Sequence, residues 1–387
     1  MKKMRIAIVT DSYHPTRDGV VASIDTVNGI LRDHGVETTI VAPDPGKEED
    51  RMEGVYYFKS TSFRSYPGYF VPIYPSHAKR VLKEISPDVV HIQGVAVMAL
   101  KGIVAAHKLG IPVIMTFHTM VGDTVKYYSP IPIPQKTADK LVWKYIGYLT
   151  RWVDAIIAPS ESIKKELIAR GVKVKDIRVI PTPIDGNRFS PSVDGSVIRE
   201  RYNLQGKRVI LSLCRVSFEK NIDMLVRAMK EMDEDVVLMI AGKGPASDSL
   251  KKLAEETGVA DRVIFTGFVS DDEVVQHYRA CDLFAVASRF ETQCLSAVEA
   301  MSCGLPVVAA KARALEDYVK EGENGYLFDD SLEDCVSKLK AGLEADGAMR
   351  QKAIETAAEF SVPKFMERIS SIYNDVIEMK RRTDDDR

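Results

Sequence analysis

The stretch Arg289–Ala310, "RFETQCLSAVEAMSCGLPVVAA", carries a helix signal followed by a strand signal. Cys294, Ala297, Val298 and Met301 fall at i, i+3, i+4 and i+7, the spacing of one buried helical face, and Gly304 is a natural stop. The apolar run Leu305–Ala310 then reads as a buried strand. Two glutamates, Glu291 and Glu299, stand eight positions apart. Along one helix that separation is roughly 12 Å of rise and about 80° of rotation, so the two carboxylates would not share a face. The spacing makes sense with Glu291 in the loop before the helix, Glu299 inside it, and a ligand at the helix N-terminus.

The same alternation runs outward from this stretch. Towards the N-terminus come "MRIAIVT", a helix from about Val20 to His34, "ETTIVAP", "VYYFKS", a helix near His77–Ile85, "DVVHIQ", a helix near Ala96–Leu109, "PVIMTFH", a long helix near Gln135–Trp152, "DAIIAPS" and a helix Glu161–Ala169. After the Pro-, Gly-, Asn- and Asp-rich connector "VIPTPIDGNRFSP" the rhythm restarts with "RVILSLCRV", "VVLMIAG", "RVIFTGFV", "DLFAVAS", "LPVVAA" and "NGYLF". This predicts an α/β chain of two doubly wound, Rossmann-like domains facing each other across a cleft, the expected ligand site. The expected divisions are residues 1–183, residues 184–360, and residues 361–387 as a C-terminal helix returning to the first domain. The final "RRTDDDR" lacks apolar periodicity and is expected to be disordered.

Composition narrows the classes. The 387 residues are 45% hydrophobic and 28% charged, ordinary for globular domains, and the formal charge of −2 with no aromatic and basic RNA-binding motif argues against nucleic acid as partner. No apolar stretch approaches the ~20 residues of a membrane span, and the N-terminus shows no signal-peptide cleavage pattern, so a cytoplasmic location is expected. The five cysteines lack CxxC spacing and lie mostly in apolar runs, which favours reduced structural thiols over zinc or disulfides.

Candidate chemistry clusters after strands. Gly19 in "TDSYHPTRDGVVAS" would let backbone approach a ligand at the start of the Val20 helix, or is plain turn chemistry. Arg215 and Lys220 in "CRVSFEKN" suit a diphosphate at the carboxyl edge of a sheet, or form a surface ion-pair cluster. The turn "AGKGPAS" is neither a full GxGxxG nor a P-loop, which weighs against dinucleotide binding. His118, just past "PVIMTF", could hydrogen-bond a sugar hydroxyl, serve in acid/base work, or be structural.

Taken together, "FETQCLSAVEAMSCGLPVVAA", "CRVSFEKN", "IAGKGP", "FTGFVSDDEVVQHYRACDLFAVAS", "LEDYVKEGENGYLF" and "DGVVAS" resemble, in order, the segments of retaining GT-B glycosyltransferases of family four. The resemblance covers nearly the whole chain. It implies that Glu299 binds the donor ribose and Glu291 the transferred sugar. The helix beginning near Cys294 and Leu295 would face the diphosphate, which Arg215 and Lys220 neutralise. Gly242, Phe268 and Val269 are implied as donor-binding, and Gly19 and His118 as closing over phosphate and sugar. The first domain would then bind the acceptor and the second a UDP- or GDP-sugar, with no cofactor and no metal. Cys294 replaces the family's glycine, so its φ is expected to lie in a range open to a side chain, or the phosphate contacts to shift.

The closest likeness is to the branch with diacylglycerol glucosyltransferases, sulfolipid synthases and mannosyltransferases of lipid acceptors. It implies a lipid acceptor such as diacylglycerol or a polyprenyl or phosphoinositol lipid. The stretch Lys59–Ile85, with Lys79, Arg80 and Lys83, then reads as an anionic membrane contact at the inner face of the cell membrane, or as core and cleft packing. A soluble saccharide acceptor, a nucleotide-sugar epimerase of similar architecture and a non-catalytic sensor are the competing readings.

Overall fold

The computed structural model describes residues 3–16, 18–62, 70–73, 77–118 and 134–385, in two compact units: Met1–Pro183 with Val362–Arg387, and Ile184–Ser361. The first unit is built on β1 (Arg5–Val9), β2 (Glu37–Pro43), β3 (Val55–Phe58), β6 (Val89–Ile92), β7 (Val113–Thr116), β8 (Ala155–Ala158) and β9 (Asp176–Val179). They form one seven-stranded parallel sheet in the order β3-β2-β1-β6-β7-β8-β9. β4 (Ser60–Ser62) and β5 (Phe70–Pro72) make a separate antiparallel pair. The central strands are apolar at almost every position because helices cover both faces, as a parallel sheet requires.

The connecting helices start where the sequence offers a cap. Asp18 accepts the Val20 and Val21 N–H groups, each at 2.9 Å, ahead of the helix Gly19–Asp33, and Ser160 caps the helix Glu161–Ala169 through the Ile163 N–H. Each such cap contributes about 1 kcal/mol. The last helix, Val362–Asp385, lays Phe365, Ile369, Ile372, Tyr373 and Val376 against Ile6, Ile8, Val89 and Ile114. Tyr373 Oη also shares a hydrogen bond of 2.8 Å with Nδ1 of the buried His91. The helix runs through Arg381 and Arg382 to Asp385. Its one proline, Pro363, lies in the first turn, where it is tolerated, and an i,i+4 pair, Glu378 with Arg382, lies near its C-terminal end.

The second unit repeats the plan with β10 (Arg208–Leu213), β11 (Val236–Ala241), β12 (Val263–Gly267), β13 (Leu283–Val286), β14 (Val307–Ala310) and β15 (Gly325–Phe328). The sheet is parallel, in the order β12-β11-β10-β13-β14-β15, with one core cluster on each face. In both units the strand order reverses beside the first strand, between β1 and β6 and between β10 and β13. In doubly wound sheets the crevice at the carboxyl ends of such a pair is where ligands bind. Among the described residues no helix is long and apolar enough to cross a membrane, and all five cysteines are free thiols.

Candidate active site

At the β10/β13 reversal the two loops that leave the sheet meet. Lys220 ends a tight turn, Phe218–Lys220, and its Nζ donates to Glu291 Oε1 at 2.6 Å. The Glu291 side chain is 11% exposed and that of Lys220 26%, so the pair is poorly screened. Burial alone would push the Glu291 carboxyl up, but the Lys220 ammonium and its hydrogen bond bring it below the ordinary glutamate value. Burial likewise disfavours the Lys220 cation, and the Glu291 charge more than offsets it, so the lysine is held charged. Asn221 ties the loops further, its Nδ2 donating to the Ala287 carbonyl at 3.4 Å.

Three residues beyond Glu291 the backbone turns sharply. Cys294 sits at φ 65°, ψ 73°, the left-handed region, and the helix Leu295–Ser302 starts at the next residue. The φ lies in the small left-handed region, which a side chain can occupy at a cost of about 1–2 kcal/mol. The surroundings enforce it. Tyr318 Oη donates to the Gln293 carbonyl at 2.9 Å, and the Cys294 carbonyl accepts the Ala297 N–H at 3.1 Å. No side chain caps this helix, so its first turn presents backbone N–H groups and the positive end of its dipole beside the Lys220–Glu291 pair.

Glu299 lies inside that helix with a different partner. Tyr278, fully buried, donates its Oη to Glu299 Oε2 at 2.7 Å. Burial pushes the Glu299 carboxyl up, against the hydrogen bond. The two glutamates of the opening stretch are thus chemically distinct: one is a salt-bridged carboxylate, the other a half-buried acceptor oriented by a phenol.

Arg215, Gly242, Phe268 and Val269 come from the ends of β10, β11 and β12, which remain interlocked after the strands stop. Cys214 N donates to Ala241 O at 3.1 Å, Val216 N to Lys243 O at 3.1 Å and Gly242 N to Gly267 O at 2.8 Å. Gly242 has φ 136°, and a Cβ there would stand 1.9 Å from the Cys214 carbonyl oxygen, so only glycine fits. Its task is to let the loops close-pack and hold Arg215 in place. Phe268 is half exposed on the rim, and Val269 packs against the core.

In the first unit His118 stands just past β7 and shares a 2.5 Å hydrogen bond between its Nε2 and Gln93 Oε1. Burial lowers its pKa to about 4, so it is neutral at pH 7. Gly19 is the first residue of its helix, and a Cβ there would meet nothing within 4 Å, so the protein itself places no steric demand on it. Asp11 is a feature that the sequence reading passed over. From the end of β1 it reaches across the β1/β6 reversal and accepts the Ala96 and Met98 N–H groups, each at 2.7 Å, capping the helix Val97–Leu109. Gly94 lies against it, where a Cβ would fall 2.4 Å from Asp11 Oδ2. The signal was an aspartate directly after the apolar run of β1, at a carboxyl strand end. Among the described residues no group of three or more His, Cys, Asp or Glu is placed to hold a metal ion.

Two family models match almost end to end: "Glycosyltransferase Family 4" over residues 17–188 and "Glycosyl transferases group 1" over residues 196–360. The chain is 32% identical to alpha-monoglucosyldiacylglycerol synthase of Streptococcus pneumoniae, an alignment that covers 97% of this chain and 86% of that protein. It is 29% identical to a GDP-mannose-dependent alpha-mannosyltransferase of Mycobacterium tuberculosis, covering 87% and 88%. Among solved structures, Anabaena Alr3699/HepE in complex with UDP has a TM-score of 0.80 at 22% identity, covering 96% of this chain and all of that one. With two parallel sheets of matching architecture and this extent of sequence identity, the chain belongs to the group 1, or family 4, glycosyltransferases and is a hexosyltransferase of the GT-B fold.

Proposed function

We propose that the protein transfers a hexosyl group, with retention of anomeric configuration, from a UDP- or GDP-sugar to a hydroxyl of a membrane lipid such as diacylglycerol or a phosphoinositol or polyprenyl lipid. The observation that carries this reading is the Lys220–Glu291 pair at the β10/β13 reversal, set against an uncapped helix N-terminus. Lys220 has three N–H donors and gives one to Glu291, which leaves two for diphosphate oxygens. Arg215, on the same loop, and the first turn of the helix Leu295–Ser302 add positive potential, so the departing diphosphate is stabilised by fixed groups without a divalent ion. Leu295 and Cys294 bring backbone to the phosphates, and Glu291 holds hydroxyls of the transferred sugar. Glu299 takes the ribose, and Gly242, Phe268 and Val269 border the base. In the first unit His118, neutral and aligned by Gln93, orients the acceptor, and Gly19 lets backbone close on phosphate. The acceptor hydroxyl attacks from the face that the diphosphate leaves, its proton passing to a phosphate oxygen.

Residues 1–183 are then the acceptor-binding domain and residues 184–360 the donor-binding domain, with residues 361–387 returning to the first. The lipid acceptor is supported by the likeness to the diacylglycerol enzyme, and a lipid acceptor supports a location at the inner face of the cell membrane, against anionic lipid. The Lys59–Ile85 stretch read as a membrane contact lies partly outside the described residues, at 63–69 and 74–76. The test is incubation with UDP- and GDP-hexoses and either dispersed diacylglycerol or free sugars, in the presence of EDTA, with the product's anomeric proton read by NMR. An α-linked glycolipid made from an α-linked donor supports the reading. Turnover only on free sugars removes the lipid acceptor, epimerised nucleotide sugar without transfer removes the transferase step, and complete loss in EDTA removes the metal-free account.

A further inference from the structure

We infer that the outer face of the helix Gln135–Leu149, continued by the turn Thr150–Trp152, is a docking surface for an anionic lipid bilayer. Leu141, Tyr145, Tyr148 and Trp152 are 58%, 37%, 53% and 42% exposed. They lie at i, i+4, i+7 and i+11, within about 60° of arc on a helical projection. The same helix buries Ala138, Ile146 and Leu149 on the adjoining face. Its apolar surface is therefore wider than the part that the core covers. Among the described residues the rest of this arc stays exposed, and an exposed run of large apolar side chains marks an interaction surface.

Charge on the border of the stripe selects the partner. Lys140, Lys144 and Arg151 are exposed and project along one edge of it, while Asp139 points to the other side, where it pairs with Arg170 at 2.6 Å. The neighbouring helix Val97–Leu109 adds exposed Lys101, Val104 and Lys108, and its His107 meets the Trp152 ring edge-on at 4.6 Å. Tyr and Trp favour the bilayer–water boundary, where the ring is buried and the polar end stays wet, and each nearby Lys or Arg gains from an anionic leaflet. A two-fold contact with a second copy would set this row of cations against itself, which disfavours self-association.

The helix Ala78–Ile85 offers a contrast. Its Val81 and Leu82 are buried in the core, and only Lys79, Arg80 and Lys83, with Glu84 paired to Arg80, face outward. It has charge but no apolar face to insert. The stripe lies near the expected acceptor edge as well: after burial, the Asp11 carboxylate at the end of β1 contributes to raising the Tyr145 phenol. The inference rests on the lipid-acceptor reading for its purpose, and on the exposed stripe for its substance.

The experiment is sedimentation of the full chain with vesicles of phosphatidylcholine, with and without phosphatidylglycerol. The wild type is expected to pellet with the anionic vesicles. The variant Lys140→Ser with Lys144→Ser and Arg151→Ser is expected to bind roughly fivefold more weakly per cation removed, about a hundredfold in all. Leu141→Ser with Tyr148→Ser is expected to lose at least tenfold, and Lys79→Ser with Arg80→Ser and Lys83→Ser much less than the first triple. The inference is overturned if the wild type stays in solution with both vesicles, if both stripe variants pellet like the wild type, or if only the helix Ala78–Ile85 variant loses binding. It is equally overturned by a dimer that Leu141→Ser with Tyr148→Ser dissociates, without vesicle binding. If the enzyme glycosylates only free sugars and yet the stripe variants lose vesicle binding, the lipid acceptor falls and the surface stands.

Discussion

Replacing Glu291 by Gln keeps the shape of the side chain and removes the charge that Lys220 Nζ holds at 2.6 Å. Removing one member of a fully buried pair costs ~3–5 kcal/mol. Here a quarter of the Lys220 side chain reaches water, so the stranded ammonium is partly rehydrated and a loss of about 2 kcal/mol is expected. The loss depends on pH. Because the Glu291 pKa lies below its ordinary value of 4.5, the contribution of the pair is complete above that value and disappears as pH falls through the lowered one. The variant lacks this acid-side dependence. Nucleotide binding should move the other way. A bound diphosphate supplies Lys220 with the counter-charge that the mutation removed, and repulsion from the carboxylate, on the order of 1 kcal/mol at an effective dielectric of ~20, is gone. Calorimetry with UDP and GDP, without sugar, should therefore show affinity unchanged or up to about tenfold tighter, while turnover falls by ~10²-fold because an amide no longer balances charge developing on the sugar. Glu299→Gln should instead weaken nucleotide binding by about 1–3 kcal/mol, through the hydrogen bond lost to the ribose. The reversed order, with Glu291→Gln abolishing nucleotide binding and Glu299→Gln indifferent, would refute the placement of the donor along this helix.

Cys294→Gly should change stability in urea by no more than about 1 kcal/mol, since relief of the left-handed strain is offset by the freer unfolded chain, whereas Cys294→Val should cost clearly more; equal midpoints for the two variants would contradict the strain. Gly242→Ala should destabilise the Ile184–Ser361 unit by ~3 kcal/mol or more, because its Cβ would overlap the Cys214 carbonyl oxygen; a wild-type thermal melt would show that the loops are not interlocked as described. His118 and His91 are held by burial at about 4 and about 3, below the ordinary 6.5, so their folded forms stay neutral while unfolded chains take up protons. Stability should be full above pH 6.5 and fall as pH drops towards 4, visible as a lower urea midpoint at pH 5 than at pH 7. A flat profile over that range would remove this account.

Much of the fold was legible because parallel strands announce themselves. "VVLMIA" and "VVAA" are buried at every position, which is what continuous apolar runs between helical segments imply. Glu291 was legible as a loop residue and Glu299 as a helical one, because eight positions cannot place two carboxylates on one face. Less visible were features set by long-range geometry. The capping of the helix Val97–Leu109 by Asp11 spans more than eighty residues, and local patterns carry no trace of it. The phenol that orients Glu299 comes from a separate helix, Val274–Ala280. The left-handed backbone at Cys294 could not be chosen from the residue type alone, because tertiary contacts set it against a cost of about 1–2 kcal/mol. The stretch Arg381–Asp385 carries no apolar periodicity, yet a helix already nucleated over five turns extends through polar residues at little cost.

The helix Val362–Asp385 completes the hydrophobic core of the unit that begins with Arg5, and its Tyr373 provides the partner of a buried histidine. On the ribosome this reverses the usual sequence of events. The stretch Ile184–Ser361 is contiguous and can close its own core as soon as it clears the exit tunnel. The strands from Arg5 to Val179 must wait with an apolar sheet face uncovered until Phe365–Val376 have emerged. The strand Arg5–Val9 is therefore made long before its surroundings are complete, and a nascent chain stalled before Phe365 would present that bare face to chaperones.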